Sequence, residues 1–266
     1  MPYDKIGRVM HELYNSVVDW LVHQFTITFI DSNRYQYFVQ GFLNTLRIVA
    51  GALAIGVALG TLVAVVRVYS SQTGRFRALN RLCGGYLAVF RGTPLVVQLL
   101  IMYYIIFASV DNGLLVATLT FGINSGAYVA EIVRAGILAV DYGQTEAGRS
   151  LGLTAAQTMY RIVLPQAFKN ILPALGNEFV TLIKETSVAG YVAVLDFARA
   201  GAYVRSRTME PYFSLVFIAF VYFLLVYGIS SIFKAIEKRM GKGDRGAAAA
   251  VRAGPRRPAG GLPPRA

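Results

Sequence analysis

Four stretches of this chain lack charged side chains over a length that can cross a lipid bilayer. They are residues 48–66, 92–110, 113–130 and 212–233. A hydrocarbon core about 30 Å thick is crossed by about 20 residues of helix, because each residue adds about 1.5 Å. The stretches therefore predict an all-α integral membrane protein, and they argue against a water-soluble enzyme.

A fifth stretch, residues 171–195, is apolar apart from Glu178, Lys184 and Glu185. We predict that it is also a span, because the topology needs it to close, which gives five transmembrane helices. The composition agrees with a membrane protein: 55% of the residues are hydrophobic, 15% are charged, and the mean hydropathy is +0.51.

This chain has too few of the side chains that metal binding and redox chemistry need. One Cys and two His cannot build a structural zinc site, an iron–sulfur cluster or a disulfide framework. We therefore predict no metal site and no catalytic residue, and we interpret Cys83 as a small buried apolar residue.

The distribution of basic residues predicts the orientation, because cytoplasmic loops retain Lys and Arg. The segment after the first span has four arginines and no acid: Arg67, Arg75, Arg77 and Arg81. This places that segment, residues 141–170 and the C-terminus in the cytoplasm, and the N-terminus outside. Residues 196–211 argue the other way, with Arg199, Arg205 and Arg207 against Asp196 and Glu210.

The two ends of the chain differ from its middle. Residues 1–37 have no secretory signature and predict an extracytoplasmic or interfacial segment with an amphipathic helix. Residues 38–236 form the predicted membrane domain. Residues 237–266 predict a basic, disordered cytoplasmic tail, because Gly, Ala, Pro and Arg cannot build a core. The tail could contact anionic lipid headgroups, or it could be a solubilising extension with no specific partner. Residues 234–266 supply +7 of the net charge of +12 and the rest of the chain is only mildly basic, so we predict no nucleic-acid partner.

Residues 143–165, GQTEAGRSLGLTAAQTMYRIVLP, predict two short helices joined by a tight turn. Gly152 stands where a left-handed residue would end a helix over residues 144–151. Thr154 and Gln157 have the spacing of a capping box that begins the next helix. Pro165 is expected to end or kink that second helix, because it lacks a backbone N–H.

This segment resembles the EAA loop of ATP-binding cassette (ABC) importer permeases. The matching residues, at the family's spacing, are Glu146, Ala147, Gly152, Ile162, Leu164 and Pro165. Gly148 stands where the family usually has a second Ala, a change expected to weaken the helix slightly and to keep its shape.

Further motifs over residues 40–236 resemble the polar amino acid permeases, the histidine/glutamine/arginine group. They are Phe90-Arg91-Gly92-Thr93-Pro94-Leu95 with Gln98, Gly126-Ala127-Tyr128 with Glu131 and Arg134, Gly143-Gln144, Leu164-Pro165-Gln166-Ala167, and Lys184-Glu185-Thr186-Ser187. Val188 replaces the Leu that commonly follows the last motif.

The resemblance implies a type I ABC importer permease fold with cytoplasmic coupling helices. It also implies three partners: a separate ATPase, a second permease subunit that is identical or related, and an extracytoplasmic solute-binding protein. The chain has no GxxxxGK[ST] loop, so ATP and Mg²⁺ are expected on the ATPase and no cofactor on this chain. The residues expected to contact the ATPase are Glu146, Ala147, Gly152 and Leu153.

Polar residues inside predicted spans are candidates for the substrate pathway, because ionisable groups in a membrane are costly. The candidates are Lys184, Glu185, Thr186, Ser187, Asn124 and Glu131. Lys184 and Glu185 could instead form a structural ion pair, with Glu131 or Arg134 as further partners. Asn124 could instead hydrogen-bond one helix to another.

The function expected from these features is import of polar amino acids by alternating access, driven by the separate ATPase. An ABC importer permease for another small solute is the main alternative. An ion-driven secondary carrier fits poorly, because five spans cannot form two equal inverted repeats. A membrane scaffold or sensor without transport is a third alternative.

Overall fold

The computed structural model describes residues 3–210 and 212–253, and the side chains of residues 9–210 and 212–240. This part of the chain is helical and contains no strand. Its α-helices are α1 Tyr3–Phe25, α2 Tyr35–Thr73, α3 Arg77–Gly92, α4 Leu95–Ile101, α5 Gly113–Leu138, α6 Tyr142–Ser150, α7 Ala155–Thr158, α8 Leu164–Glu185, α9 Phe197–Thr208 and α10 Phe213–Ala253. Three π-helical turns (Thr26–Ile30, Met102–Ile106 and Met159–Val163) and two 3₁₀ segments (Asp31–Asn33 and Thr186–Val192) connect some of them.

Three of the described helices are long and apolar enough to cross a membrane: α2, α5 and α10. A fourth candidate is a bent pair, α3 with the helical segment 95–106, whose axes differ by 109°. The sequence predicted one continuous span over residues 92–110, and the structure breaks it at its start. The backbone of Thr93 is extended at the break, because the following residue is Pro94 and a proline disfavours helical geometry in the residue before it.

The fifth predicted span takes a different form from the one expected. α8 ends at Glu185, and a 3₁₀ segment, Thr186–Val192, continues the chain. α8 is not among the described helices that are long and apolar enough to cross a membrane. A total of five transmembrane helices therefore stays a prediction.

The membrane domain is built on close contact between α2 and α5, and glycines make it possible. A Cβ atom added at Gly60 would lie 2.6 Å from Cβ of Val129 and 2.7 Å from the backbone oxygen of Gly126. One added at Gly56 would lie 3.1 Å from Ser125. Small residues let two helix backbones approach closely, which is how helices associate in lipid. These glycines therefore pack α2 on α5 within one chain.

The ends of the described region extend beyond this core. α1 is amphipathic, and apolar side chains such as Leu13 and Val17 are exposed along it. At the other end the backbone of α10 is helical through Ala253, although the sequence predicted disorder from residue 237 onward. Residues 254–266, the rest of the predicted tail, lie outside the described residues.

Candidate functional site

The segment formed by α6, the turn after it, α7 and the π-helical turn Met159–Val163 is called here the hairpin. α6 begins at Asp141, whose side chain accepts a hydrogen bond of 2.7 Å from the backbone N–H of Gly143. After the last residue of α6, Ser150, the chain turns at Gly152, where φ is +82°. The N–H of Gly152 donates to Arg149 O (3.0 Å), and that of Leu153 donates to Gly148 O (3.2 Å). This pair of bonds is a Schellman motif, so the predicted left-handed turn at Gly152 is confirmed.

The second arm begins with the predicted capping box. The backbone N–H of Thr154 donates to the side-chain oxygen of Gln157 at 2.8 Å, and the N–H of Gln157 donates to Thr154 Oγ1 at 3.2 Å. Each bond satisfies a backbone donor that the first helical turn leaves unpaired. Both ends of the turn are thus closed by local contacts alone.

The second arm does not end at Pro165, and a kink at this residue stays a prediction. The helical path continues from α7 through the π-helical turn into α8, and Pro165 lies in the first turn of α8. Proline is tolerated there because the first turn does not need its missing N–H. As a result the second arm of the hairpin runs directly into α8.

Gly148 is where the two arms touch. A Cβ atom at this position would lie 2.8 Å from Ile162 Cδ1 and 2.9 Å from Thr158 Cγ2. From the sequence, this Gly in place of the family's usual Ala was expected only to weaken the helix slightly. In the structure its missing side chain instead sets the distance between the arms.

The hairpin exposes the residues expected to meet a partner. Glu146, Ala147 and Gly152 are exposed, and Leu153 is half-buried. Two large apolar side chains on the same element were not predicted from the sequence: Leu151 is 82% exposed and Tyr160 is 76% exposed. The exposure of Leu151 could have been predicted from the sequence, because an apolar residue directly before a helix-ending glycine lies at the tip of the turn.

A second group of polar side chains lies on α5. Asn124 is buried, and its Nδ2 donates to Gln98 Oε1 at 2.9 Å and to Phe90 O at 3.2 Å. Gln98 in turn donates to Phe90 O (2.9 Å) and to Thr93 Oγ1 (2.8 Å). Asn124 therefore holds the break between α3 and α4 against α5.

The next residue on α5 faces another helix. Ser125 Oγ donates a 2.7 Å hydrogen bond to Glu178 Oε1, which joins α5 to α8. In the sequence, Glu178 stands out only as an interruption of an apolar stretch. Its partner is 53 residues away in the chain, so no local pattern indicated the pair.

The four predicted pathway residues at the end of α8 have mixed surroundings. Lys184 and Ser187 are exposed, Glu185 is half-buried and Thr186 is buried. Both hydroxyls donate to the backbone of their own segment: Thr186 Oγ1 to Ile183 O and Ser187 Oγ to Lys184 O, each at 2.7 Å.

Glu131 lies elsewhere, among three arginines. Its Oε1 is 3.2 Å from Arg67 Nη1, and its Oε2 is 3.5 Å from both Arg91 Nη1 and Arg134 Nη2. We call these four residues the Glu131 cluster. The guanidinium of Arg91 also lies over the ring of Tyr128, 5.6 Å from its centroid. The six predicted pathway residues therefore fall in three places: the break between α3 and α4, the end of α8, and the Glu131 cluster.

Metal ligands are not grouped in the part of the chain that the structure describes. Within it, no three His, Cys, Asp or Glu side chains come together in a way that could hold a metal ion.

Comparison with known proteins places these features in a family. A model of the family described as "binding-protein-dependent transport system inner membrane component" matches residues 42–242. A putative glutamine transport system permease protein, GlnP, of Rickettsia felis is 39% identical over 207 residues, covering 77% of this chain and 93% of that protein. The arginine transport system permease protein ArtQ of Bacillus subtilis is 35% identical over 212 residues, covering 78% and 94%.

Solved structures agree with this assignment. An amino acid ABC transporter crystallised with histidines superposes with a TM-score of 0.72 at 37% identity, covering 79% of this chain and 98% of that one. The MetNI methionine ABC transporter in an inward-facing conformation has a TM-score of 0.66 at 21% identity, covering 77% and 96%, and shows the same fold.

The family match includes the hairpin, the Glu131 cluster and the α2–α5 contact, and it spans most of the chain. This protein belongs to the family of inner membrane components of binding-protein-dependent transport systems, a multi-pass permease subunit of an ABC importer rather than an enzyme.

Proposed function

We propose that this chain carries polar amino acids across the membrane, driven by an ATPase that docks on the hairpin. The observation that carries the proposal is the hairpin itself, which is closed by local contacts at both ends and exposes Leu151 at its tip. The relatives named for glutamine and arginine transport support the choice of substrate class.

The hairpin can transmit movement because its parts are joined without a flexible link. Its first arm contacts the second at Gly148, and the second arm continues into α8. A partner that pushes on Glu146, Ala147, Gly152 and Leu153 would therefore move α8 with the hairpin. Rigid-body movement of this kind alternates a pathway between its outward and inward openings.

Membership of the family implies an ATPase and a second permease subunit as partners. We further propose an extracytoplasmic solute-binding protein that delivers the amino acid. ATP and Mg²⁺ bind on the ATPase in this scheme, and this chain binds no cofactor.

We propose that the N-terminus is outside and that the hairpin and the C-terminus are cytoplasmic. The arginines near residues 196–211 had argued against this orientation, but two of them have local partners in the structure. Arg199 Nη1 donates to Gly190 O at 2.7 Å. Arg207 donates to the hydroxyl of Tyr203 at 3.1 Å and lies over its ring. These contacts supply a structural reason for arginines on an outer loop.

The substrate pathway is proposed to run along α8, next to the α5 surface that it contacts. An amino acid carries both charges, so Lys184 and Glu185 suit its carboxylate and its ammonium group. Thr186 and Ser187 add hydroxyl groups beside them, and Asn124 and Glu131 are the candidates on α5.

The decisive test is ATP hydrolysis by the reconstituted complex. The chain would be purified with its ATPase in lipid discs and given a binding protein together with glutamine, arginine, histidine or cystine in turn. We expect hydrolysis to rise with one of these amino acids and Gly152→Val to abolish the rise, because valine cannot adopt the left-handed turn without strain.

Gly74→Val is the matched control. Gly74 also ends a helix in the left-handed region, with φ +67°, and a Cβ there would meet only the end of the Arg77 side chain, at 3.7 Å. Gly74→Val should introduce similar backbone strain but leave the stimulation of ATP hydrolysis intact. Normal coupling in Gly152→Val would overturn the role of the hairpin. Stimulation only by a solute of another class would overturn the substrate assignment alone.

A further inference from the structure

The Glu131 cluster has more positive charge than its single carboxylate can neutralise. The ion pairs recorded for Arg67, Arg91 and Arg134 all end on Glu131, so the four residues together carry two net positive charges. Two of the three contacts are 3.5 Å long, near the outer limit of a hydrogen bond. A single carboxylate is thus the shared ion-pair partner of three guanidinium groups.

One donor group in the cluster remains without an acceptor. Nε of Arg134 is buried and has no hydrogen-bond partner in the structure. Leaving a buried donor without a partner is unfavourable, so a ligand that accepts from it is favoured. Guanidinium groups present paired N–H donors that match the two oxygens of a carboxylate or of a phosphate.

The cluster is open to a ligand from outside the helix bundle. The side chains of Arg67, Arg91 and Arg134 are 28%, 44% and 35% exposed. Glu131 lies 18 residues after the first residue of α5, which is roughly 27 Å along the helix axis. This distance approaches the full thickness of the hydrocarbon core, so the cluster lies near the membrane boundary on the side of the hairpin.

We propose that the Glu131 cluster is a binding site for a second oxyanion, a carboxylate or a phosphate group. The ligand occupies the donors that Glu131 leaves free and competes with Glu131 for the arginines. Two sources offer this chemistry at the boundary: the headgroup of an anionic phospholipid and the carboxylate of a free amino acid. If the ligand is the free amino acid, the site rests on the proposed function and adds a binding position to the substrate pathway; if it is the phospholipid, the site is independent of transport.

The experiment measures the thermal unfolding midpoint of the full-length chain, purified with its ATPase, in lipid discs. One arm replaces part of the phosphatidylcholine with phosphatidylglycerol at increasing fractions. The other arm keeps pure phosphatidylcholine and titrates free glutamine. We expect the midpoint to rise by a few degrees in one arm, and that arm identifies the source.

Three variants test whether the Glu131 cluster causes the rise. Arg134→Gln should weaken the apparent affinity roughly tenfold, because a charge-assisted hydrogen bond is lost. Glu131→Gln should tighten it, because the competing carboxylate is gone while all three arginines remain. Arg75→Gln is the matched control: it removes an arginine that is exposed in the turn after α2, outside the cluster, and should change little.

Three results would overturn the proposal. One is that neither arm raises the midpoint of the wild-type chain. Another is that Arg75→Gln weakens the effect as much as Arg134→Gln, which would indicate only the general field of basic residues. The third is unchanged or weaker binding in Glu131→Gln, and this measurement decides the matter even if Arg134→Gln fails to fold.

Discussion

The hairpin and the polar contacts of α5 are both made of hydrogen bonds, but they are built over different distances along the chain. In the hairpin, Thr154 and Gln157 are three residues apart, and the bonds that close α6 span three and five residues. On α5, Asn124 meets Gln98 26 residues away, Ser125 meets Glu178 53 residues away, and Arg67 meets Glu131 64 residues away.

This difference changes what holds each region in place. A cap or a Schellman turn forms wherever the right residues stand a few positions apart, because the chain brings them together without help. The contacts of α5 form only after α2 and α5 have packed, which depends on glycines such as Gly60. The hairpin should therefore tolerate damage to the membrane domain better than the α5 contacts do.

The largest expected effect comes from filling the α2–α5 contact. Gly60→Leu would force a side chain into the backbone of Gly126 and should destabilise the chain by about 3 kcal/mol or more. Reversible unfolding in detergent would measure the loss. Gly228→Leu on α10 is the control, because a Cβ there meets nothing within 4 Å. Equal stability of the two variants would show that α2 and α5 do not pack as described.

The second-largest effect is expected from the hydrogen bond between Asn124 and Gln98, which forms only when the helices have packed. Asn124→Ala should destabilise the chain by about 1–3 kcal/mol, because it leaves the buried amide of Gln98 with fewer partners. In a double-mutant cycle with Gln98→Ala the coupling should be about 1 kcal/mol. A cycle between Asn124→Ala and Thr154→Ala should instead be additive. Coupling in the second cycle would contradict the independence of the two regions.

A smaller effect is expected inside the hairpin. Thr154→Ala removes the hydroxyl that caps α7 and should cost about 1 kcal/mol. Thr154→Ser keeps an acceptor oxygen and should retain most of that stability. Hydrogen exchange at the amide of Gln157 reports the change directly. If both variants exchange like the wild type, the cap does not stabilise the turn.

The smallest effect concerns Gly148. Gly148→Ala gains about 1 kcal/mol of helix propensity but places a methyl group against Thr158 and Ile162, so a net loss of about 0.5 kcal/mol is expected. Gly84→Ala on α3, where a Cβ meets nothing within 4 Å, should be stabilised instead. Thermal unfolding would measure both variants, and the test is whether Gly148→Ala lowers the stability while Gly84→Ala raises it. Stabilisation in both variants would mean that the arms are not in close contact at Gly148.

Sequence patterns predicted much of the fold but less of the candidate site. The apolar stretches gave the helical membrane class, and Gly152, Thr154 and Gln157 gave the hairpin turn. The helix end predicted at Pro165 was wrong, because the sequence does not show whether a proline falls in the last turn of one helix or in the first turn of the next. Glu178 was passed over because its partner, Ser125, is on another helix.

The sequence by itself determined the features that depend on neighbours within a few positions: which stretches can be helices in lipid, where the hairpin turns, and which backbone groups its caps satisfy. The tertiary structure alone decided which charged and polar side chains meet, how far the arms of the hairpin approach at Gly148, and that Glu131 lies among three arginines rather than beside Lys184. The physical reason is that contacts between helices depend on the angle and depth at which whole helices pack, and no short stretch of residues encodes that geometry.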